Sequence, residues 1–340
     1  MKIVFIVPTT GLKRFPPYRW AGRIYGQPNS ITGPLILGGI LKRAGHEVEV
    51  YEELNGRVPY NRLLRDTDIF CLSLMTSNAP RGYELADMIH RRSGARVLMG
   101  GMHPTWMPEE ALEHGDQVIT GEGERVILDA VERRITEPIV RGPLIENIDE
   151  VPFPDYSILK TPCAAANVIS TRGCPCRCSF CTTSRMFHPY RKRSVDNVIA
   201  EIRRYKEMGF RYMNFEDDNF TADKERAKEI RRRMIAEGLT FRETFFFGRT
   251  DMAEDEELLE LLTPAKMSPW ELQEEFFRAC RDFYTFSSAK DIRRIFGKEY
   301  GRRRWGLALM TRMGTGAAHL ASHIAPHSDY YTLRHISDVQ

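Results

Sequence analysis

The feature that most constrains this chain is an alternation of short, continuous apolar runs with stretches of helical periodicity. The apolar runs are Ile3 to Val7, Val48 to Tyr51, Asp68 to Leu74, Arg96 to Met99 and Gln117 to Thr120. Between them, Gly33 to Ala44, closed by Gly45, and Tyr83 to Arg92 carry apolar residues at helical spacing. A strand that is apolar on both faces needs cover on both faces. The expected fold is therefore an α/β sheet, parallel and doubly wound, with helices on each side.

In such sheets ligands sit at the carboxyl ends of the strands. The third run ends in Ser73-Leu74-Met75-Thr76, the fourth in Gly100-Gly101-Met102-His103-Pro104-Thr105, and the fifth in Gly121-Glu122-Gly123-Glu124. Glycines at a strand end let the backbone approach a bulky ligand closely, and small hydroxyls bond its polar edge. Any one of these loops is equally well explained as a tight turn. Three along one sheet edge favour a ligand.

A length of 340 residues suits two domains. Residues 1–135 hold the first series, and the proline-rich Val151-Pro152-Phe153-Pro154-Asp155-Tyr156 marks residues 136–165 as an extended linker. A second series occupies 166–262: strand Asn167 to Ser170, helix Val195 to Met208, strand Tyr212 to Phe215, helix Asp223 to Glu237 and strand Thr244 to Phe247. Ser194 and Thr221 are the expected N-caps, and Gly209 and Gly238 stand where helix C-termini favour glycine. Residues 263–340 read as appended helices rich in basic and aromatic side chains.

A formal charge of +3, from 49 basic and 46 acidic side chains, points to no nucleic-acid partner. The apolar run at the N-terminus is stopped by Pro8 and lacks the longer apolar region of a signal peptide, and no stretch is apolar for long enough to span a bilayer. A cytoplasmic protein is expected. Of seven cysteines, four (174, 176, 178, 181) crowd together, which suits metal ligation in a reducing compartment better than a disulfide framework.

Thr171-Arg172-Gly173-Cys174-Pro175-Cys176-Arg177-Cys178-Ser179-Phe180-Cys181 follows directly on an apolar strand. Three thiolates at this spacing on a tight loop can surround one iron–sulfur cluster and leave one iron without a protein ligand. That open iron can be chelated by a substrate's amino and carboxylate groups. A structural zinc is the alternative, with Cys176 or His188 as fourth ligand, although zinc sites usually draw on two separated ligand pairs.

Cys-x-x-x-Cys-x-aromatic-Cys after the first strand of a βα series resembles the radical S-adenosylmethionine superfamily. The preceding domain, with its Gly-Gly-Met-His-Pro-Thr and Gly-Glu-Gly-Glu loops, is similar to the cobalamin-binding domain of one large subgroup. The resemblance covers about residues 1–262 and implies a 4Fe-4S cluster, S-adenosylmethionine and cobalamin as cofactors. It implies that Cys174, Cys178 and Cys181 ligate the cluster, with Phe180 near the adenine. Glu216-Asp217-Asp218 would receive the amino group of S-adenosylmethionine, and Arg249 its carboxylate. An acidic helix start and a surface arginine are the plainer readings of these residues.

By the same resemblance Ser73, Thr76, Gly100, Gly101, His103, Thr105, Gly121 and Glu122 would line cobalamin. There is no Asp-x-His-x-x-Gly, so no histidine is expected below the cobalt, and His103 beside Pro104 is read first as shaping its loop. The implied reaction is methylation of an unactivated carbon in a small molecule, with a reductant such as flavodoxin or ferredoxin. Cyclisation or another rearrangement fits the same scaffold. The family's barrel has six βα units, whereas about three follow the cysteines here, a shortfall of roughly a hundred residues. An incomplete barrel with an open edge is therefore expected, and with it a non-catalytic cofactor-binding remnant as a further reading.

Overall fold

Six strands build the first sheet: β1 (Lys2–Val7), β2 (Glu47–Glu52), β3 (Ile69–Ser73), β4 (Arg96–Gly100), β5 (Gln117–Gly121) and β6 (Ile139–Gly142). All neighbours pair in parallel, in the order β2-β1-β3-β4-β5-β6. β1 is the interior of the expected design: Ile3, Val4 and Ile6 are each 0% exposed, because helices cover both faces. Order reverses between β1 and β3, which opens a crevice at their carboxyl ends.

The helices of this part are α1 (Thr32–Arg43), α2 (Tyr60–Asp66), α3 (Ala79–Arg92), α4 (Met102–Trp106), α5 (Pro108–Leu112) and α6 (Ile127–Val131). α1 stops where the sequence indicates. Gly45 takes φ 90°, which turns the chain so that the His46 N–H reaches back to the Leu41 carbonyl at 3.1 Å.

The computed structural model describes residues 1–9, 30–179 and 181–262, with Thr250 and Ala253 by backbone alone. Phe180 and the appended helices expected from residue 263 lie outside the described residues. The chain divides into units Met1–Leu261 and Leu262–Gln340. Among the described residues no helix is long and apolar enough to cross a membrane.

Residues 136–165 are not an extended tether throughout. β6 adds an outer strand to the sheet, and the proline-rich stretch is strapped to it. The Asp155 N–H donates to the Leu35 carbonyl at 3.2 Å, the Lys160 N–H to Val50 at 2.9 Å, and Ile148, Tyr156 and Ile158 are buried. A Cβ on Gly38 would stand 2.6 Å from Ile158, so α1 lies close to the strap because that residue is glycine.

The second sheet is parallel in the order β11-β10-β7, from β7 (Ala165–Val168), β10 (Tyr212–Phe215) and β11 (Glu243–Phe245). The described residues thus hold three strands of this sheet. A short antiparallel pair, β8 (Thr171–Arg172) with β9 (Arg191–Lys192), encloses α7 (Thr183–Met186). α8 (Val195–Glu207) is capped by Ser194, whose hydroxyl accepts from the Asn197 N–H at 3.2 Å. α9 (Lys224–Ala236) is capped by Asp223 and not by Thr221, because residues 220–222 form a separate 3₁₀ turn ahead of it. α10 (Glu256–Leu262) closes the described part.

Candidate functional site

The three loops at the carboxyl edge of the first sheet are fastened to one another. The Leu74 N–H donates to the Gly100 carbonyl at 2.8 Å and the His103 N–H to the Leu74 carbonyl at 3.1 Å. Gly101 has φ 106°, and a Cβ there would stand 2.6 Å from the Leu74 carbonyl oxygen, so only glycine fits. The Thr105 hydroxyl donates to Gly101 O at 2.8 Å and accepts from the Gly121 N–H at 3.1 Å, joining the second loop to the third. Thr76 is exposed, and Met75 in the same loop and Trp106 and Met107 after the second loop are 44%, 47% and 46% exposed. A shelf of small residues and backbone, edged by apolar side chains, suits a broad flat ligand.

Asn78, which carried no motif signal, anchors the switch-point crevice. Its side chain accepts from the Met75 N–H at 2.8 Å and donates to the Pro8 carbonyl at 2.9 Å, tying β3 to β1. Ser73 and Gly100 close their strands at the same level, partly exposed.

Two expected cofactor-lining residues are turned away from the shelf. The imidazole of His103 is 8% exposed, with Nε2 at 2.9 Å from Tyr83 Oη and Nδ1 at 3.4 Å from Thr76 Oγ1, so it braces the loop and has no nitrogen left for a cobalt ion. Glu122 is 6% exposed, and its carboxylate receives Arg191 at 2.7 and 2.9 Å, Arg172 at 3.0 Å and the Ile145 N–H at 2.6 Å. Burial alone would push this carboxyl up. The two guanidiniums outweigh it and hold the group below the usual carboxylate range.

Arg172 and Arg191 belong to β8 and β9, the neck of the loop that carries the cysteines. Cys174, Cys176, Cys178 and Cys181 are all free and partly exposed on it, just past the carboxyl end of β7. Gly173 at φ 83° lets the chain pass Phe187, whose carbonyl oxygen would stand 2.5 Å from a Cβ. Among the described residues no three His, Cys, Asp or Glu side chains gather around a single-ion position. A four-iron cube asks something different, since each thiolate binds its own iron at a separate corner. Soft thiolate donors on one exposed loop suit that group.

The acidic strand end of β10 is divided among three tasks. Asp217, 1% exposed, accepts from the Ser170 N–H at 2.7 Å, the Ser170 hydroxyl at 2.6 Å and the Thr171 N–H at 2.6 Å. It fastens the β7–β8 turn and offers nothing to a ligand. Asp218 is exposed and accepts from the Thr183 hydroxyl at 3.1 Å, on the cysteine loop. Arg249 also faces this loop, with Nη1 3.4 Å from Cys176 Sγ.

Glu216 points toward the first sheet. It accepts from the Thr32 hydroxyl at 2.7 Å and Asn167 Nδ2 at 2.9 Å, and Asn167 also donates to the Ser30 carbonyl. Ser30 in turn donates to Glu52, which further accepts from the Ile31 N–H at 2.8 Å. Burial, with a smaller push from Asp217, lifts Glu216 to about 6, and burial lifts Glu52 to about 7. Of the expected S-adenosylmethionine contacts, Asp218 and Arg249 therefore each touch the cysteine loop, at Thr183 and at Cys176, Asp217 fastens the turn that leads into it and Glu216 stands at the junction of the two sheets.

Residues 31–131 match the B12 binding domain family, and residues 168–272 match the Radical SAM superfamily. An uncharacterised methyltransferase of Pyrococcus horikoshii is 28% identical over 274 residues, 70% of this chain and 58% of that protein. The anaerobic magnesium-protoporphyrin IX monomethyl ester cyclase of Cereibacter sphaeroides is 28% identical over 271 residues, 67% of this chain and 44% of that one. The chain thus spans little more than half of the first relative and less than half of the second. Its fold is shared with the radical S-adenosylmethionine methyltransferase TsrM of Kitasatospora setae, at a TM-score of 0.57 and 16% identity over 77% of this chain and 57% of that chain. A match to the B12 binding domain thus precedes a match to the Radical SAM superfamily in one chain, and the cysteine loop stands at the head of the parallel βα sheet within the second match.

Proposed function

We propose that this chain binds a 4Fe-4S cluster, S-adenosylmethionine and cobalamin and transfers a methyl group to an unactivated carbon of a small molecule. The observation that carries the reading is the grip of the Gly-Glu-Gly-Glu loop on the neck of the cysteine loop, which sets two candidate cofactor stations side by side. Cys174, Cys178 and Cys181 would hold the cluster, Asp218 and Arg249 would orient S-adenosylmethionine beside it, and the shelf from Gly100 to Thr105 would carry cobalamin. Such a set supplies electron transfer into a sulfonium, hydrogen abstraction by a carbon radical and a transferable methyl group. The chain's own part is orientation: it fixes loops by backbone hydrogen bonds and buries the carboxylates that hold them. An external one-electron donor such as flavodoxin or ferredoxin would complete the cycle.

The test is anaerobic purification followed by iron, sulfide and cobalt analysis, then assay for 5′-deoxyadenosine and for methylated product. Iron and cobalt near stoichiometry, with iron lost in Cys178→Ser, is the expected result. Zinc without iron overturns the reading, and iron without 5′-deoxyadenosine points to a cofactor-binding remnant. Cyclisation is the second reading, favoured by the likeness to the protoporphyrin ester cyclase across two thirds of the chain. Product mass separates the two, since methylation adds a carbon and ring closure by dehydrogenation adds none.

A further inference from the structure

Arg172 and Arg191 are directly opposite one another in the β8–β9 pair. Like charges in that position repel, and here both side chains are also sheltered from water, at 12% and 6% exposure. The pair forms because carboxylates arrive from elsewhere. Glu122 takes Arg191 in a two-pronged contact and Arg172 by a third, while Glu124 takes the other end of Arg172. Both acids sit on the loop after β5, a stretch pinned beneath by Gly142, where a Cβ would fall 1.9 Å from the Glu122 carbonyl oxygen. The neck of the cysteine loop is thus closed by groups belonging to the edge of the other sheet.

We propose that Glu122 is a positioning residue which, through Arg172 and Arg191, fixes the cysteine loop to the carboxyl edge of the first sheet and so sets the cluster's approach to a ligand on that edge. The inference rests on the functional reading above for the identity of the two cofactors, whereas the clamp is a property of the protein chain itself. Replacing the carboxylate by an amide of equal size leaves two facing guanidiniums with the Glu124 carboxylate on Arg172 and none on Arg191. The neck then opens while both sheets stay folded.

Hydrogen exchange of the full-length protein, followed by mass spectrometry, reads the clamp without any cofactor. In Glu122→Gln, amides from 171 to 193 are expected to exchange about tenfold faster, with those of β1, β3 and β4 unchanged. Arg191→Lys, which keeps the charge and loses the fork, is expected to fall between, and Glu109→Gln, an exposed position on α5, to match the wild type. In protein reconstituted with iron, sulfide and cobalamin, relaxation of the cob(II)alamin EPR signal by the reduced cluster is expected to weaken in Glu122→Gln at wild-type metal content. Wild-type exchange at the neck in Glu122→Gln overturns the proposal, and so does unchanged relaxation at full metal content. If Glu122→Gln accelerates exchange everywhere, Arg191→Lys decides: acceleration confined to the neck supports the clamp and none refutes it. A wild-type protein that takes up neither cluster nor cobalamin sinks the functional reading instead, and the exchange result still judges the clamp.

Discussion

Asp217→Ala is expected to be among the most destabilising single changes outside the apolar core. The carboxylate is 1% exposed and lies against Ser170 at 0% and Thr171 at 3%, so water has no ready access. Removing it strands the Ser170 and Thr171 N–H groups, each now held within 2.7 Å of the same oxygen, and costs the Ser170 hydroxyl its acceptor. A buried donor left without a partner costs about 1–3 kcal/mol, so a total of about 4 kcal/mol follows. Asp217→Asn keeps an oxygen for both N–H groups and discards a charge that burial already disfavours. Its cost is about 1 kcal/mol. Thermal unfolding of the two variants measures the difference, at roughly 2–4 °C per kcal/mol for a domain of this size. A melting temperature for Asp217→Ala within about 2 °C of the wild type would falsify the assignment of Asp217 as the lock of the β7–β8 turn.

Three further outcomes follow from particular residues. Burial lifts Glu52 from its ordinary 4.5 to about 7, so the folded state keeps a proton that the unfolded chain releases; this stability, roughly 3 kcal/mol, is present below pH 4.5 and lost as pH rises through about 7. Urea unfolding across that range should show a flatter profile in Glu52→Gln, and an equally steep one refutes the role of Glu52. Gly142→Ala drives a Cβ into the Glu122 carbonyl and should cost about 3 kcal/mol, read by the same unfolding measurement; a neutral result would show that this contact can relax. His103→Gln should leave the absorption spectrum of bound cobalamin unchanged, because both ring nitrogens already have protein partners, and a shifted spectrum would place that histidine on the cobalt.

β1, β3, β4 and β5 were legible as continuous apolar runs because burial on both faces leaves no polar alternation to confuse them. β6 was hidden, since only Ile139 and Val140 mark it before Arg141, and it is a strand because β5 offers it an unpaired edge. Asp223 and Thr221 were equally good caps by residue type, and the 3₁₀ turn at 220–222 selected between them. The arginines that bracket the cysteine loop gave no signal, because a charged residue near a motif is more often simply solvated.

The sequence by itself determined the βα order, the edge at which ligands would meet the first sheet and the loop bearing three cysteines, because backbone periodicity and local spacing decide these. Only the tertiary structure decided what each polar side chain does there. Glu122 was expected on a ligand and is spent on two arginines; Asp217 was expected to receive an amino group and locks a turn; His103 braces its own loop. Each outcome depends on which donors a fold brings within about 3 Å of an oxygen or nitrogen, and those donors come from segments tens of residues away.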